Sequence, residues 1–229
     1  MTRPASAPGL RAAAAALISD WSVRLLQSGT LQDIPYAGGT WPTAIYKTPL
    51  TDRVTVDRYG IVGDQHSATE RDPERALCCH PTCHYPYWRA YFRGPLPLGS
   101  FGENLTVDGL SEADLCIGDV LQCGTVLMQI SQPRMPCDGP ARRIGQPDLV
   151  KLTLQTGKVG FMTRVLEGGS MQVGDTLALI ERPHPEIPLP FVMRVFHAAD
   201  DTAAAELAAL PLLAAEWRER FALRHTRAG

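Results

Sequence analysis

Lysine is nearly missing from this chain. Lys47, Lys151 and Lys158 stand against nineteen arginines, and with 24 acidic residues the formal net charge is −2. Without a basic excess there is no material for the cationic face of a dedicated nucleic-acid binder, so no nucleic-acid polymer is expected as a partner. Arginine's planar fork does suit carboxylate and phosphate, although codon composition accounts for much of the skew. Long apolar runs are missing too: nothing approaches the roughly 18 residues that cross a bilayer, and no membrane partner is expected. The start, MTRPASAPGLRAAAAALIS, places basic residues before an alanine-rich stretch, but the apolar part is short and Trp21 and Arg24 follow without a clear cleavage signature. Residues 1–20 read as an N-terminal extension, helical or disordered, and the protein as cytoplasmic. In that compartment six cysteines are thiols rather than a disulfide framework. There is no solenoid-type repeat, no four suitably spaced cysteines for an iron–sulfur cluster, and no flavin or haem signature.

What is present is ample for a core: 229 residues, 45% hydrophobic and 20% charged. Short alternating segments predict strands at SVRLLQ (22–27), TAIYK (43–47), RVTVDR (53–58), ENLTV (103–107), VGFMTRVL (159–166), GGSMQV (168–173) and DTLALIE (175–181). GDVLQCGTVLMQIS (118–131) predicts a hairpin turning at Cys123–Gly124. Gly-Asp pairs at 63–64, 118–119 and 174–175 are turn chemistry, and strands this short and close suggest a barrel or curled sheet. Helices are expected from about Pro81 to Phe92 and from Asp148 to Gly157, a C′ glycine. After residues 21–182, PHPEIPLP (183–190) reads as a proline-broken linker. Residues 191–229 read as a three-helix unit that buries little alone and docks on the barrel or a partner. The fold class is therefore mainly β with α.

Two stretches could carry chemistry. CCHPTCHYPYW (78–88) packs three cysteines and two histidines into eleven positions. On a helix, Cys79 and Cys83 are i,i+4, as are His80 and His84, but the two pairs are turned about 100° apart. One helix therefore cannot aim four ligands at one zinc ion, and burial is the commoner fate of such residues. ISQPRMPCDGPARR (130–143) instead sets Cys137 in a proline-fixed loop with Arg134 on one side and Arg142 and Arg143 on the other. Nearby guanidinium groups favour thiolate, the form that binds soft metals or attacks electrophiles.

SQPRMPC (131–137), with FGENLTVDGLSEADLCIGD (101–119), GIVGD (60–64) and TGKVGFMTRVLEGGSMQVGD (156–175), resembles the MOSC-domain family, related to the C-terminal part of molybdenum cofactor sulfurases. The likeness is strongest to its bacterial YiiM-type branch, in which a MOSC domain precedes a small three-helix domain, and it runs from about Trp21 to Arg224. The resemblance implies a barrel that binds the pterin-based molybdenum cofactor, with Cys137 as the metal ligand and catalytic residue. Reduction of N-hydroxylated substrates, hydroxylaminopurine-like bases included, to amines is the activity it implies. Candidates to hold the cofactor's phosphate are Lys47, Arg134 and Arg75; Asn104 and Gln132 are candidates for the pterin edges. Asp64 also matches, in a turn context. Where relatives usually carry HGGPDRAL this chain has ERDPERAL (70–77), so Glu70, Arg71 and Asp72 put side chains where glycines let a backbone approach. The Cys78–Cys79–His80 run lies over the expected cofactor-facing edge, and Cys79 becomes a second soft group to place.

With no redox group of its own beyond that cofactor, the chain needs a separate electron-donor reductase, for which the helical unit offers a docking surface; a homodimer is compatible with the sequence. Two alternatives remain open: a non-catalytic carrier of molybdenum cofactor or sulfur, and a zinc-binding interaction module built on Cys79, His80, Cys83 and His84. Pyridoxal phosphate on Lys47 is weaker, lacking an identifiable acidic partner for the pyridine nitrogen.

Overall fold

Short strands of aliphatic and β-branched residues make up much of the chain, as the alternation predicts. In the computed structural model, which describes residues 20–65, 72–198 and 200–225, the first six strands are β1 Ser22–Ser28, β2 Gln32–Tyr36, β3 Gly39–Thr43, β4 Thr48–Pro49, β5 Val54–Asp57 and β6 Gly60–Ile61. There follow β7 Leu77–Pro81, β8 Leu105–Asp108, β9 Val120–Cys123, β10 Val126–Pro133, β11 Phe161–Glu167, β12 Gly169–Met171 and β13 Leu177–Glu181. The helices are α1 Tyr85–Phe92, α2 Asp138–Ile144, α3 Leu149–Thr156, α4 Leu189–His197, α5 Asp201–Ala208 and α6 Ala215–His225. The expected extension over residues 1–20, all but Asp20, and the substitutions Glu70 and Arg71 lie outside the described residues. None of the described helices is long and apolar enough to cross a membrane.

Eight strands form one curled sheet in the order β13-β9-β10-β11-β7-β8-β1-β4. Its pairs are antiparallel except β7–β8. The sheet bends back on itself: a Ser22–Thr176 bridge joins β1 to the approach of β13, with Val23 N donating to Asp175 O at 3.0 Å and Leu177 N to Trp21 O at 2.9 Å. Satisfying those edge groups closes the sheet into a partial barrel. The 118–131 hairpin forms as expected, and Gly118 and Gly174 of the Gly-Asp turns take φ of 85° and 89°, where a side chain would be strained.

Three elements differ from expectation, each for a local reason. TAIYK is irregular from Ala44 to Lys47, between the end of β3 and the two-residue β4. Among the described residues β2 and β3 pair only with each other, and their proline-interrupted alternation (Pro35, Pro42) hides the hairpin from pattern reading. The run Leu77–Pro81, for which no strand is expected and whose last residue is the expected helix start, is a strand: every residue in it is buried because β8 and β11 flank it on both sides. Continuous burial is what an interior strand looks like in sequence. The helix begins only at Tyr85, with Pro86 in its first turn.

The helical unit docks on the barrel. Leu189, Val192, Leu207, Leu213, Trp217 and Phe221 join the same buried cluster as Leu115, Leu121, Met128 and Ile130 of the barrel. The 183–190 segment is pinned to it, with Ile117 N donating to Ile187 O at 3.0 Å and Leu189 N to Leu115 O at 2.9 Å. Glu74 ties the two parts further: its carboxylate accepts from Arg164 on β11 at 2.9 Å and from Ala215 N at the start of α6 at 2.6 Å.

Candidate functional site

The side-chain alternation of β7 sorts the cysteine-rich stretch. Cys79, fully buried, points into the barrel core, where burial pushes its thiol well above the usual range. Cys78 points the other way and borders a cleft. It is thus Cys78, not Cys79, that becomes the second soft group near the expected site. His80 stacks on Phe101 with ring centroids 4.3 Å apart and has no hydrogen-bond partner on either nitrogen. His84 faces Glu112, Nε2 to Oε2 at 2.6 Å. The four zinc candidates do not form one site: Cys79 is turned into the core, while the His80 ring packs edge-on against His84 with centroids 5.3 Å apart. Among the described residues no group of three or more His, Cys, Asp or Glu side chains is arranged to hold a metal.

The cleft has a volume of about 510 Å³ and brings together residues from distant parts of the chain: Lys47, Arg75, Cys78, Arg134, Cys137 and Arg142. Cys137 is exposed and is the N-cap residue of α2, with extended backbone (φ −122°, ψ 173°). The expected loop is thus shorter than predicted: Pro133 and Pro136 carry the chain out of β10, and the helix starts directly after the cysteine. Arg142 and Arg143 lie in its last turn. Only Arg142 reaches the cleft; Arg143 turns inward to donate to Ile45 O at 2.7 Å and Gly99 O at 2.8 Å.

Arg134 is 7% exposed and held by a hydrogen bond from Nη2 to Phe101 O of 2.8 Å. Burial works against its charge, but Cys78, Cys137 and Glu103 close by outweigh it and raise its pKa, so it stays a guanidinium. The same proximity acts on Cys78, where burial pushes the thiol up and Arg134 pulls it back. Lys47, 8% exposed, donates to Asp64 Oδ1 at 2.6 Å. Asp64 also accepts from Gly29 N at 2.7 Å and from Asn104 Nδ2 at 2.9 Å. Asp64, read from sequence as a turn residue, is also the carboxylate that positions the cleft's lysine. Arg75, about half-exposed, is shared between Asp72 at 3.0 Å and Glu216 of α6 at 3.2 Å. Asp72, the substitution for a family glycine, also caps the short helical turn 73–75 by accepting from Glu74 N.

Two sequence candidates lie behind the wall rather than on it. Asn104 is fully buried; its Oδ1 accepts from Cys78 N at 3.2 Å and its Nδ2 donates to Asp64 and to Gln27 O. It connects the strand bearing Cys78 to the carboxylate that holds Lys47. Gln132, 1% exposed on β10, leaves its Oε1 without a hydrogen-bond partner. Residues that sequence reasoning passed over are Cys78, Arg142 as a cleft cation, and Trp41 of β3, which forms part of the cleft mouth. Arg142 had a signal in its nearness to Cys137 in sequence, and Cys78 in the run placed over the expected cofactor-facing edge; Trp41 gave none.

Comparison with known proteins agrees with this architecture. Residues 63–178 match the MOSC domain family. YflK of Bacillus subtilis is 37% identical over 205 residues, 88% of this chain and 93% of that protein. YiiM of Escherichia coli is 35% identical over 146 residues, 62% of this chain and 65% of its own length. A protein named "Reductase" from Gibberella moniliformis is 37% identical over 183 residues; the match spans 76% of this chain but only 32% of that longer protein. Among solved structures, YiiM from Geobacillus stearothermophilus superposes with a TM-score of 0.77 at 33% identity, covering 90% of this chain and 99% of that one. YiiM from Escherichia coli superposes with a TM-score of 0.72 at 26% identity, covering 91% and 92%.

Proposed function

The chain belongs to the MOSC domain family, and on that premise we propose that it binds a molybdenum–pterin cofactor through Cys137 and reduces N-hydroxylated small molecules to amines. Hydroxylaminopurine-like bases are the substrate class put forward. The observation that carries the reading is the exposed Cys137 thiol opening onto a cleft whose cations come from four separate segments: Lys47, Arg75, Arg134 and Arg142. That donor set fits the group. A pterin dithiolene brings two sulfurs, so one protein thiolate completes its anchoring, and its phosphate needs cationic partners.

The cofactor, when bound, supplies the oxygen-atom and two-electron chemistry. The chain's own residues bind and orient. Cys137 is held at the end of a strand by flanking prolines and by the start of α2. Arg134, fixed by the Phe101 carbonyl, keeps a charge on the inner wall. The Lys47 ammonium uses one donor on Asp64 and has others to offer an anion. Asn104 acts through Asp64 and through the Cys78 backbone, and Gln132 offers a buried acceptor. The balanced reaction, R–NHOH with two electrons and two protons giving R–NH₂ and water, draws its electrons from a separate donor protein.

The test is to purify the chain from a host that makes the cofactor and to measure molybdenum and pterin together. Near-stoichiometric loading that falls to background in Cys137→Ser supports the reading. Loading without turnover of a hydroxylaminopurine under chemical reductant favours a carrier instead. Equal metal content in wild type and Cys137→Ser overturns the ligand assignment.

A further inference from the structure

Across the cleft from the inner cations, an aromatic cluster stands at the mouth. The β2–β3 hairpin turns at Ala37 (φ 49°) and Gly38 (φ 81°) and pairs with no other described strand. Ile34 is opposite Trp41, and Tyr36 lies two residues further along, so all three side chains share one face. That face meets α2: the Arg142 guanidinium lies 4.7 Å from the Tyr36 ring centroid and 5.2 Å from that of Trp41. The two rings meet edge-on with centroids 6.2 Å apart. Tyr36 is 47% exposed and Trp41 half-buried, whereas Lys47 and Arg134 are buried.

Gly139 locates this cluster against Cys137. A β-carbon at Gly139 would lie 3.6 Å from Cys137 Sγ and 3.8 Å from Trp41 Cζ2. Cys137 Sγ and the indole therefore both lie close to Gly139, where a β-carbon would also meet Ile45 Cδ1 at 2.9 Å, so any side chain at 139 crowds the part of the cleft they share. Buried Lys47 and Arg134 thus line one part of the cleft, and Trp41, Arg142 and the exposed Cys137 a more open part.

We infer that Trp41, braced by Arg142 and Tyr36, is a stacking wall for a flat heteroaromatic ring beside Cys137, and that it sets preference for aromatic over aliphatic substrates. The inference rests on the reading of Cys137 as the reactive pole of the cleft and adds the specificity element to it. A planar ring laid along the indole brings its exocyclic nitrogen toward the sulfur, while an aliphatic substrate gains no stacking there. Stacking of a base on an aromatic side chain changes affinity by roughly tenfold or more. A fused ring of the same chemistry could come from substrate or from the pterin. The partly exposed position of the wall, outside the buried cations, assigns it to the substrate.

The experiment titrates the purified full chain with adenine and, separately, with pterin, read by tryptophan fluorescence and by calorimetry. Trp88 and Trp217 are fully buried, but Trp21 is half-buried like Trp41, so quenching is assigned to Trp41 only where it disappears in Trp41→Leu, and calorimetry carries the affinities. Saturable quenching by adenine is expected, with binding weakened about tenfold in Trp41→Leu, largely restored in Trp41→Phe, and blocked in Gly139→Val. Adenine affinity in Trp41→Leu within twofold of wild type, or no adenine binding at all, overturns the inference. Trp41-dependent binding of pterin but not adenine also overturns it, since the wall then belongs to the cofactor. On cofactor-loaded protein, the ratio of kcat/KM for an aromatic over an aliphatic N-hydroxylated substrate is expected to fall about tenfold in Trp41→Leu, chiefly through KM. Turnover with an unchanged ratio sinks the wall alone. Trp41-dependent adenine binding with no turnover of either substrate upholds the wall and sinks the reductase reading.

Discussion

Replacing Lys47 with methionine keeps the length of the side chain and deletes its charge, which makes the Lys47–Asp64 pair a direct probe of how the cleft is held. Both side chains are nearly solvent-free, 2% and 3% exposed, at a separation of 2.6 Å. In Lys47→Met, Asp64 keeps the donors Gly29 N and Asn104 Nδ2 but loses the Lys47 ammonium from a nearly solvent-free site. Breaking one side of such a pair costs about 3–5 kcal/mol, which for a chain of this size lowers Tm by roughly 6–20 °C. Asp64→Asn alone strands the ammonium and is expected to cost a similar amount. The double variant Lys47→Met/Asp64→Asn leaves no orphan charge, and the new amide oxygen still accepts from Gly29. Its deficit is expected at about 1–3 kcal/mol, a coupling of at least ~2 kcal/mol between the two positions. Urea unfolding of the four proteins at fixed salt measures the cycle. Deficits that add to within about 0.5 kcal/mol would mean that the two groups are solvated separately, and the account of Lys47 as a positioned cation fails.

Three further outcomes are expected. His84 is buried, which opposes its charge, but hydrogen bonds with Cys83 and Glu112 and the Glu112 charge outweigh burial and push its pKa from 6.5 to about 9. Its contribution, of order 3 kcal/mol, is complete below about pH 6.5 and is lost as pH rises through 9; His84→Gln should flatten stability across that window, and an unchanged slope refutes the charged pair. Cys137→Ser alters an exposed side chain, so metal loading should vanish while urea stability stays within about 0.5 kcal/mol of wild type; a larger loss marks Cys137 as structural. Trp217→Ala removes a fully buried ring shared by the helical unit and the barrel and should cost about 3–5 kcal/mol in one cooperative transition, whereas helix loss preceding barrel loss would show two separate cores.

Much of this was legible from residues alone. Most of the strand-forming alternation from Ser22 to Glu181, the Gly-Asp turns and the three helices after residue 190 are local properties, and local periodicity reports them. The motif strings around Asn104 and Cys137 pointed to the family for the same reason: they are long, contiguous and specific. Leu77–Pro81 escaped as a strand because its burial comes from β8 and β11, which are distant or later in the chain. The β2–β3 hairpin escaped because Pro35 and Pro42 break the pattern that its own pairing restores.

By itself, the sequence determined the element types over most of the chain, the family, and the identity of the thiol at 137, since each depends on neighbours a few positions away. Only the tertiary structure decided that Cys78 and not Cys79 borders the cleft, and that Asp64 and Asn104 stand behind Lys47. It also decided that Trp41 and Arg142 meet beside Cys137. Those are facts of sheet register and of segments far apart in sequence closing on one point, and the free energy that fixes them lies in contacts that sequence spacing does not encode.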